Sequence, residues 1–222
     1  MSIPLNLLAI KNELPQHVKL IAVSKTYPAE NILEAYQTGH KIFGENKVQE
    51  LVEKHMQLPK DIEWHLIGHL QSNKVKYIAP FVSLIHSVDS LKLLQEINKQ
   101  AMKNNRVISC LLQIYIASEE TKFGLSTEEC LELIHSSAFK NLNNIKIVGL
   151  MGMASNTEDK NQIKKEFIIL KKFFDQIRST INSPNIDCKE LSMGMSSDYK
   201  IAIDEGSTMI RLGSIIFGKR NY

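Results

Sequence analysis

The chemistry this sequence can do rests on an amine, a guanidinium and two small, glycine-containing turns. Lys25 closes the run Leu20-Ile21-Ala22-Val23-Ser24, whose apolar residues belong in a core. A lysine so placed either snorkels its ammonium to water or serves as a nucleophilic amine in a pocket that lowers its pKa, ready to condense with an aldehyde. Near the other end stand Ser192-Met193-Gly194-Met195-Ser196 and Arg211-Leu212-Gly213-Ser214. Bare backbone and hydroxyls at such turns present hydrogen-bond donors to an anion, above all where a helix follows directly. Ser196, Gly213 and Ser214 are therefore candidate phosphate ligands, although a tight turn with a serine cap would by itself explain SMGMS. An amine beside a phosphate cup suits a phosphorylated aldehyde. Pyridoxal 5′-phosphate (PLP) is one, and its ring nitrogen needs a partner, a part that Arg211 can fill. Asn46, in Gly44-Glu45-Asn46, can hydrogen-bond near the imine or the ring hydroxyl. Two other readings stay open: a Schiff-base aldolase acting on a sugar phosphate, and for Arg211 an interior ion pair with Glu45 or Glu205.

These residues need elements to bring them together. Short apolar runs alternate with amphipathic segments along the chain. Strands are expected at LIAVS, KIFGEN, EWHLIG (residues 63–68), VSLIHSV (82–88), VISCLLQIYI (107–116), IKIVGLMGM (145–153), CKELSMG and TMIRLGSIIFG (208–218). Helices are expected at PAENILEAYQTG, VQELVEKHMQL, HLQSNKVKYIA, SLKLLQEINKQAM (capped by Asp89 or Ser90), TEECLELIHSS, QIKKEFIILKKFFDQI and SSDYKIAIDEG, with one more in front at the N-terminus. Alternation of this kind implies parallel strands joined by right-handed crossovers. Eight units in 222 residues fit one closed (β/α)8 barrel spanning residues 1–222, with an extra N-terminal helix. An open doubly wound sheet would want a glycine-rich loop after its first strand, where this chain has Ser24-Lys25-Thr26-Tyr27-Pro28. In a barrel the candidate residues all fall at C-terminal strand ends, and closure sets strand one beside strand eight, bringing Lys25 near the phosphate cup.

Composition narrows the function classes. With 43% hydrophobic and 23% charged residues the chain is ordinary globular material, and its net charge of +3 gives no case for nucleic acid. The basic run Lys164–Phe173 reads as the solvated face of an amphipathic helix. Cys110, Cys130 and Cys188 are odd in number and lack CxxC spacing, which fits a reducing compartment. No run reaches membrane-spanning length, and the N-terminus reads as an amphipathic helix rather than a signal peptide. A cytoplasmic protein is expected.

The stretches AVSKTYP, FGENKVQE, WHLIGHLQSNK, HSVDS, LSMGMSSDYKIAIDEGST and RLGSIIFGKRNY, in this order over nearly the whole chain, resemble the YggS/PROSC family of PLP-binding homeostasis proteins. The resemblance implies a single-domain (β/α)8 barrel like the N-terminal domain of alanine racemase. It implies that Lys25 is the Schiff-base lysine, that Arg211 faces the pyridine nitrogen, that Ser196, Gly213 and Ser214 hold the phosphate and that Asn46 lines the ring. Two positions depart from the family: Tyr115 stands where Asn is usual after strand five, and Ser214 where Thr is common. The loop motif of Glu119, Lys122 and Gly124 is kept.

An always-charged arginine opposite the ring nitrogen disfavours the proton that makes PLP a strong electron sink. Racemases of this architecture add a second acid/base from a further domain and a partner subunit, for which this chain leaves no residues. Local candidates are His65, His69, His86 and Tyr115; His65 and His69 lack the glutamate of a metalloprotease helix. The expectation is therefore a monomeric PLP carrier without evident catalysis; that it supplies PLP to PLP-dependent apoenzymes is what the resemblance implies. A PLP-dependent amino-acid racemase or decarboxylase is the alternative.

Overall fold

The computed structural model describes residues 2–118 and 123–218. Eight strands form a closed barrel in sequence order, β1 (Lys19–Val23), β2 (Ile42–Glu45), β3 (Glu63–Leu66), β4 (Leu84–Val88), β5 (Ile108–Gln113), β6 (Ile145–Met151), β7 (Ile186–Ser192) and β8 (Met209–Leu212). All neighbours run parallel, and β1 closes on β8 with Ile21 opposite Arg211. The helices are α1 (Ile3–Glu13), α2 (Ala29–Gln37), α3 (Val48–Gln57), α4 (Val75–Ile78), α5 (Leu91–Lys103), α6 (Thr127–His135), α7 (Ser137–Lys140), α8 (Lys160–Thr180), α9 (Tyr199–Asp204) and α10 (Ser214–Phe217). Among the described residues no helix is long and apolar enough to cross a membrane.

Local chemistry sets the helix starts. Ser126 and Glu129 form a reciprocal capping box on α6. The Asp159 carboxylate accepts from Asn161 and Gln162 N–H at the head of α8, and Ser90 rather than Asp89 caps α5. Asp89 is thereby released to the barrel mouth.

Two apolar layers hold the barrel. The outer faces of the strands pack on the helices through residues such as Phe43, Trp64, Ile85, Phe167 and Leu191, all at 0% exposure. Inside, Ile21, Leu84, Leu111, Met151 and Met209 form a separate cluster. Inward positions recur with the strand period of two. So Lys25 follows Ile21 and Val23 on β1, Arg211 follows Met209 on β8, and His86 follows Leu84 on β4.

Several boundaries differ from the sequence reading. The eighth strand ends at Leu212, and Ser214–Phe217 is the helix α10, because the chain must leave the barrel once Arg211 has been delivered to its interior. β5 stops at Gln113, beyond which Ile114 makes only a bridge to Leu125, and β6 stops at Met151. β7 starts at Ile186, before Cys188. After β3 the expected single helix is a 3₁₀ turn, Ser72–Lys74, running into α4. Glu119 and Lys122 of the loop motif lie outside the described residues, as do the last four residues of RLGSIIFGKRNY.

Candidate functional site

A cavity of about 700 Å³ opens at the C-terminal ends of the strands. Lys25, Asn46, Ser196, Arg211, Gly213 and Ser214 all line it, so the barrel brings together every candidate cofactor-binding residue of the sequence. His69, Asp89, Gln113 and Phe123 complete much of the wall. Tyr115 lines instead a smaller adjoining space of about 200 Å³, and its N–H donates to the Leu125 carbonyl at 2.9 Å. The volume is in the range of small-molecule sites.

Lys25 rides on a constrained turn. Tyr27 N–H donates to the Ser24 carbonyl at 3.1 Å, and Thr26 between them has φ +71°. A β-branched residue in the left-handed region is strained, and type II turns give that position to glycine. The surroundings hold it there. Thr26 N–H donates to Glu50 Oε1 at 2.6 Å. Lys54 Nζ, reaching in from α3, donates to the Ser24 carbonyl (2.8 Å), Glu45 Oε1 (2.8 Å) and Glu50 Oε1 (2.7 Å). Ser24 Oγ donates to Glu45 Oε1 at 2.6 Å. Tyr27 further ties the turn to α10: its hydroxyl donates to the Gly218 carbonyl at 2.6 Å and its ring stacks on Phe217. Burial raises the Glu45 carboxyl to about 7 despite Lys54. Among the described residues, its second oxygen has no hydrogen-bond partner.

Arg211 is 4% exposed and its support is of another kind. Nη1 donates to the Ser192 carbonyl (2.9 Å) and Ser192 Oγ (2.6 Å), and Nη2 to the Gly152 carbonyl (3.2 Å). Ser192 Oγ also shares a hydrogen bond with His86 Nδ1 at 3.0 Å, and His86 Nε2 shares one with His65 Nδ1 at 3.0 Å. The chain runs from Arg211 through Ser192 and His86 to His65. Burial holds both imidazoles neutral, His65 down to about 3 and His86 well below its ordinary value. Burial also draws Arg211 down to about 10, which leaves it charged at neutral pH. The Arg211 reading as a salt bridge to Glu45 or Glu205 does not hold: those carboxylates meet Lys54 and Lys164.

The phosphate-cup residues come from two loops. Gly194 has φ +97°, and a Cβ there would stand 2.6 Å from that of Ala202. The Asp198 carboxylate accepts from Met195 N–H at 2.6 Å, and Tyr199 N–H donates to the Met195 carbonyl at 2.9 Å, which fixes the loop that presents Ser196. Gly213 and Ser214 sit at the first turn of α10, where leading N–H groups have no carbonyl of their own helix to meet. Asn46 is set by the close approach of Gly68, where a Cβ would lie 2.4 Å from the Asn46 carbonyl oxygen.

Of the four local acid/base candidates only His69 lines the main cavity, with Nδ1 3.7 Å from Asp89 Oδ2. His65 points below, to His86, so the two histidines of HLIGH diverge. Among the described residues no cluster of His, Cys, Asp and Glu could hold a metal ion. The sequence reading missed Lys54, which sits on α3 among polar residues, and Ser192 as the link to Arg211.

The family model described as alanine racemase, N-terminal domain, matches residues 2–221. A pyridoxal phosphate homeostasis protein of Aquifex aeolicus is 42% identical over 205 residues, 92% of this chain and 88% of that protein. The structure of PipY from Synechococcus elongatus with PLP bound superposes with a TM-score of 0.87 at 36% identity, covering 98% of this chain and 100% of that one. Alanine racemase of Clostridium difficile, 17% identical with a TM-score of 0.75, shares the fold over all of this chain and 57% of its own. The chain thus belongs to the pyridoxal phosphate homeostasis proteins, within the alanine racemase N-terminal domain family.

Proposed function

We propose that this protein binds PLP as a Schiff base on Lys25 and serves its homeostasis, holding and releasing the cofactor without turning over a substrate. The observation that carries the reading is the single cavity that gathers an amine (Lys25), a buried guanidinium (Arg211) and two hydroxylated turns (Ser196, and Gly213 with Ser214) in a chain of this family. Two cations and a set of N–H and O–H donors match a phosphorylated, electron-poor pyridine aldehyde, which supplies a carbon electrophile and, once protonated, an electron sink. With PLP bound, Lys25 Nζ would hold the aldehyde carbon, water being the leaving group; Ser196, Gly213 and Ser214 would hold the phosphate, and Asn46 would bond at the ring edge. Arg211 would donate to the ring nitrogen while keeping its own charge, and so orient the ring without protonating it.

The same arrangement supports carriage over catalysis. His65 and His86 are held neutral and bonded to each other under the cavity floor, where they cannot exchange protons with a bound amino acid. The protein then acts as one domain, residues 1–222, working as a monomer in the cytoplasm and passing PLP to PLP-dependent apoenzymes. Its free, buried cysteines suit a reducing compartment. A PLP-dependent racemase or decarboxylase is the second reading, and His69 beside Asp89 on the cavity wall is the observation in its favour. Incubation of PLP-loaded protein with amino acids in deuterated water separates the two, as does incubation with an apoenzyme. Carriage predicts reactivation of the apoenzyme and no deuterium at Cα; deuterium incorporation or loss of CO₂ would establish the enzyme.

A further inference from the structure

The two peptide units that flank Lys25 are both anchored to one buried side chain, Lys54. Its ammonium has three protons and three acceptors: the Ser24 carbonyl, Glu45 Oε1 and Glu50 Oε1. The first is the residue before Lys25. The third holds Thr26 N–H, the residue after it. Glu45 adds a second grip on Ser24 through its hydroxyl. Lys54 is 7% exposed in its side chain and Glu45 not at all, so the bonds to Ser24 and Glu45 are shielded from competing water, while the Glu50 bond to Thr26 lies at the exposed edge. At the second anchor, Thr26 is kept at φ +71°, which a free chain with a β-branched residue would leave. We propose that Lys54 is the positioning residue for Lys25: by clamping Ser24 and, through Glu50, Thr26, it holds the strained turn that aims the Lys25 amine into the cavity.

The proposal rests on Lys25 as the PLP-bearing residue, but its geometry can be tested without the cofactor. The first measurement is hydrogen exchange of the Thr26 amide in the PLP-free protein. The second is PLP titration followed by Schiff-base absorbance, for Lys54→Met, Thr26→Gly, their combination and Glu50→Ala. Lys54→Met should keep a cooperative melt, speed Thr26 exchange and weaken Schiff-base formation by about tenfold or more, the scale of one strained residue released. Adding Thr26→Gly should recover most of the loss, because glycine adopts that φ at no steric cost. A residue that only stabilised the fold would show no such rescue. Glu50 is partly exposed, so Glu50→Ala keeps the test alive if Lys54→Met does not fold, with the same signs and smaller size. Unchanged Thr26 exchange and titration within twofold of wild type in folded Lys54→Met, or in Glu50→Ala if it does not fold, would overturn the proposal. So would a loss that Thr26→Gly leaves untouched. If wild type itself forms no Schiff base, the reading of Lys25 fails, while the exchange data still decide the clamp.

Discussion

Lys25 and Arg211 stand on adjacent strands of one barrel and line one cavity, yet opposite chemistry supports them. Beneath Lys25 lies a network of ionisable groups, in which Lys54 meets Glu45 and Glu50. Beneath Arg211 lies a neutral chain of Ser192, His86 and His65. A nucleophilic amine must be able to lose its proton, and what it needs is a fixed backbone; the charges sit behind the turn and act on peptide groups. A guanidinium that must stay charged while buried needs oriented acceptors, and Ser192 and the Gly152 carbonyl supply them, while the Asp198 carboxylate acts on it only through space. The first side positions through a strained turn, the second through a buried hydrogen-bond chain.

The largest expected effect comes from taking away the two side chains proposed to meet PLP. Lys25→Ala should weaken PLP binding by about a hundredfold or more, the loss of a covalent anchor, read by titration. Arg211→Met should cost both binding and fold: it leaves the Gly152 carbonyl buried without its donor, about 1–3 kcal/mol at most, while the Ser192 carbonyl keeps the Gly152 N–H, and the loss is visible as a lower denaturant midpoint. Equal stability of Arg211→Met and wild type would break the comparison, since the neutral chain would then have nothing to hold.

Acid separates the two sides further. His65 and His86 have folded-state values far below 6.5, so the unfolded chain gains protons that the fold refuses. Their stabilisation is present above pH 6.5 and is lost as pH falls below it, by up to about 1.4 kcal/mol per pH unit for each histidine. Glu45 acts the other way. Raised to about 7 from 4.5, it costs stability above pH 7, and that cost is relieved between pH 7 and 4.5 as the folded state takes up its proton. Glu45→Gln should therefore make the acid loss steeper across that window. Melting temperatures from pH 8 to 4.5 for wild type and variant check the sign; parallel curves would mean that Glu45 is ionised throughout. The smallest effect is local. Thr26→Gly alone should change stability by about 1 kcal/mol or less, because relieved strain and added unfolded-state freedom oppose each other.

Much of the site was legible because strands keep a period of two and a parallel barrel puts function at one end. Lys25, Asn46, Arg211 and Gly213 each fall at the inward parity of a strand or just past its end, and the closure of β1 on β8 brings Lys25 to Arg211. The supports were not legible. Lys54 stands on α3 beside Glu53 and His55 and reads like a solvated lysine, since nothing local announces that its stem threads inward to Ser24. Glu45 looked like an interior partner for Arg211, but it shares the parity of Phe43 on the outer face of β2, where the ammonium of Lys54 meets it. The helix α10 was hidden inside an apolar run, Ser214–Phe217, that periodicity over so few residues cannot separate from a strand.

The central claim is tested most directly by adding PLP to the purified protein, recording the visible spectrum, reducing with borohydride and mapping the product by peptide mass. The account predicts a Schiff-base band that shifts on reduction and leaves the reduced cofactor's mass on the peptide containing Lys25. A protein that stays colourless with excess PLP, or one that carries the mass only on another lysine, would contradict it.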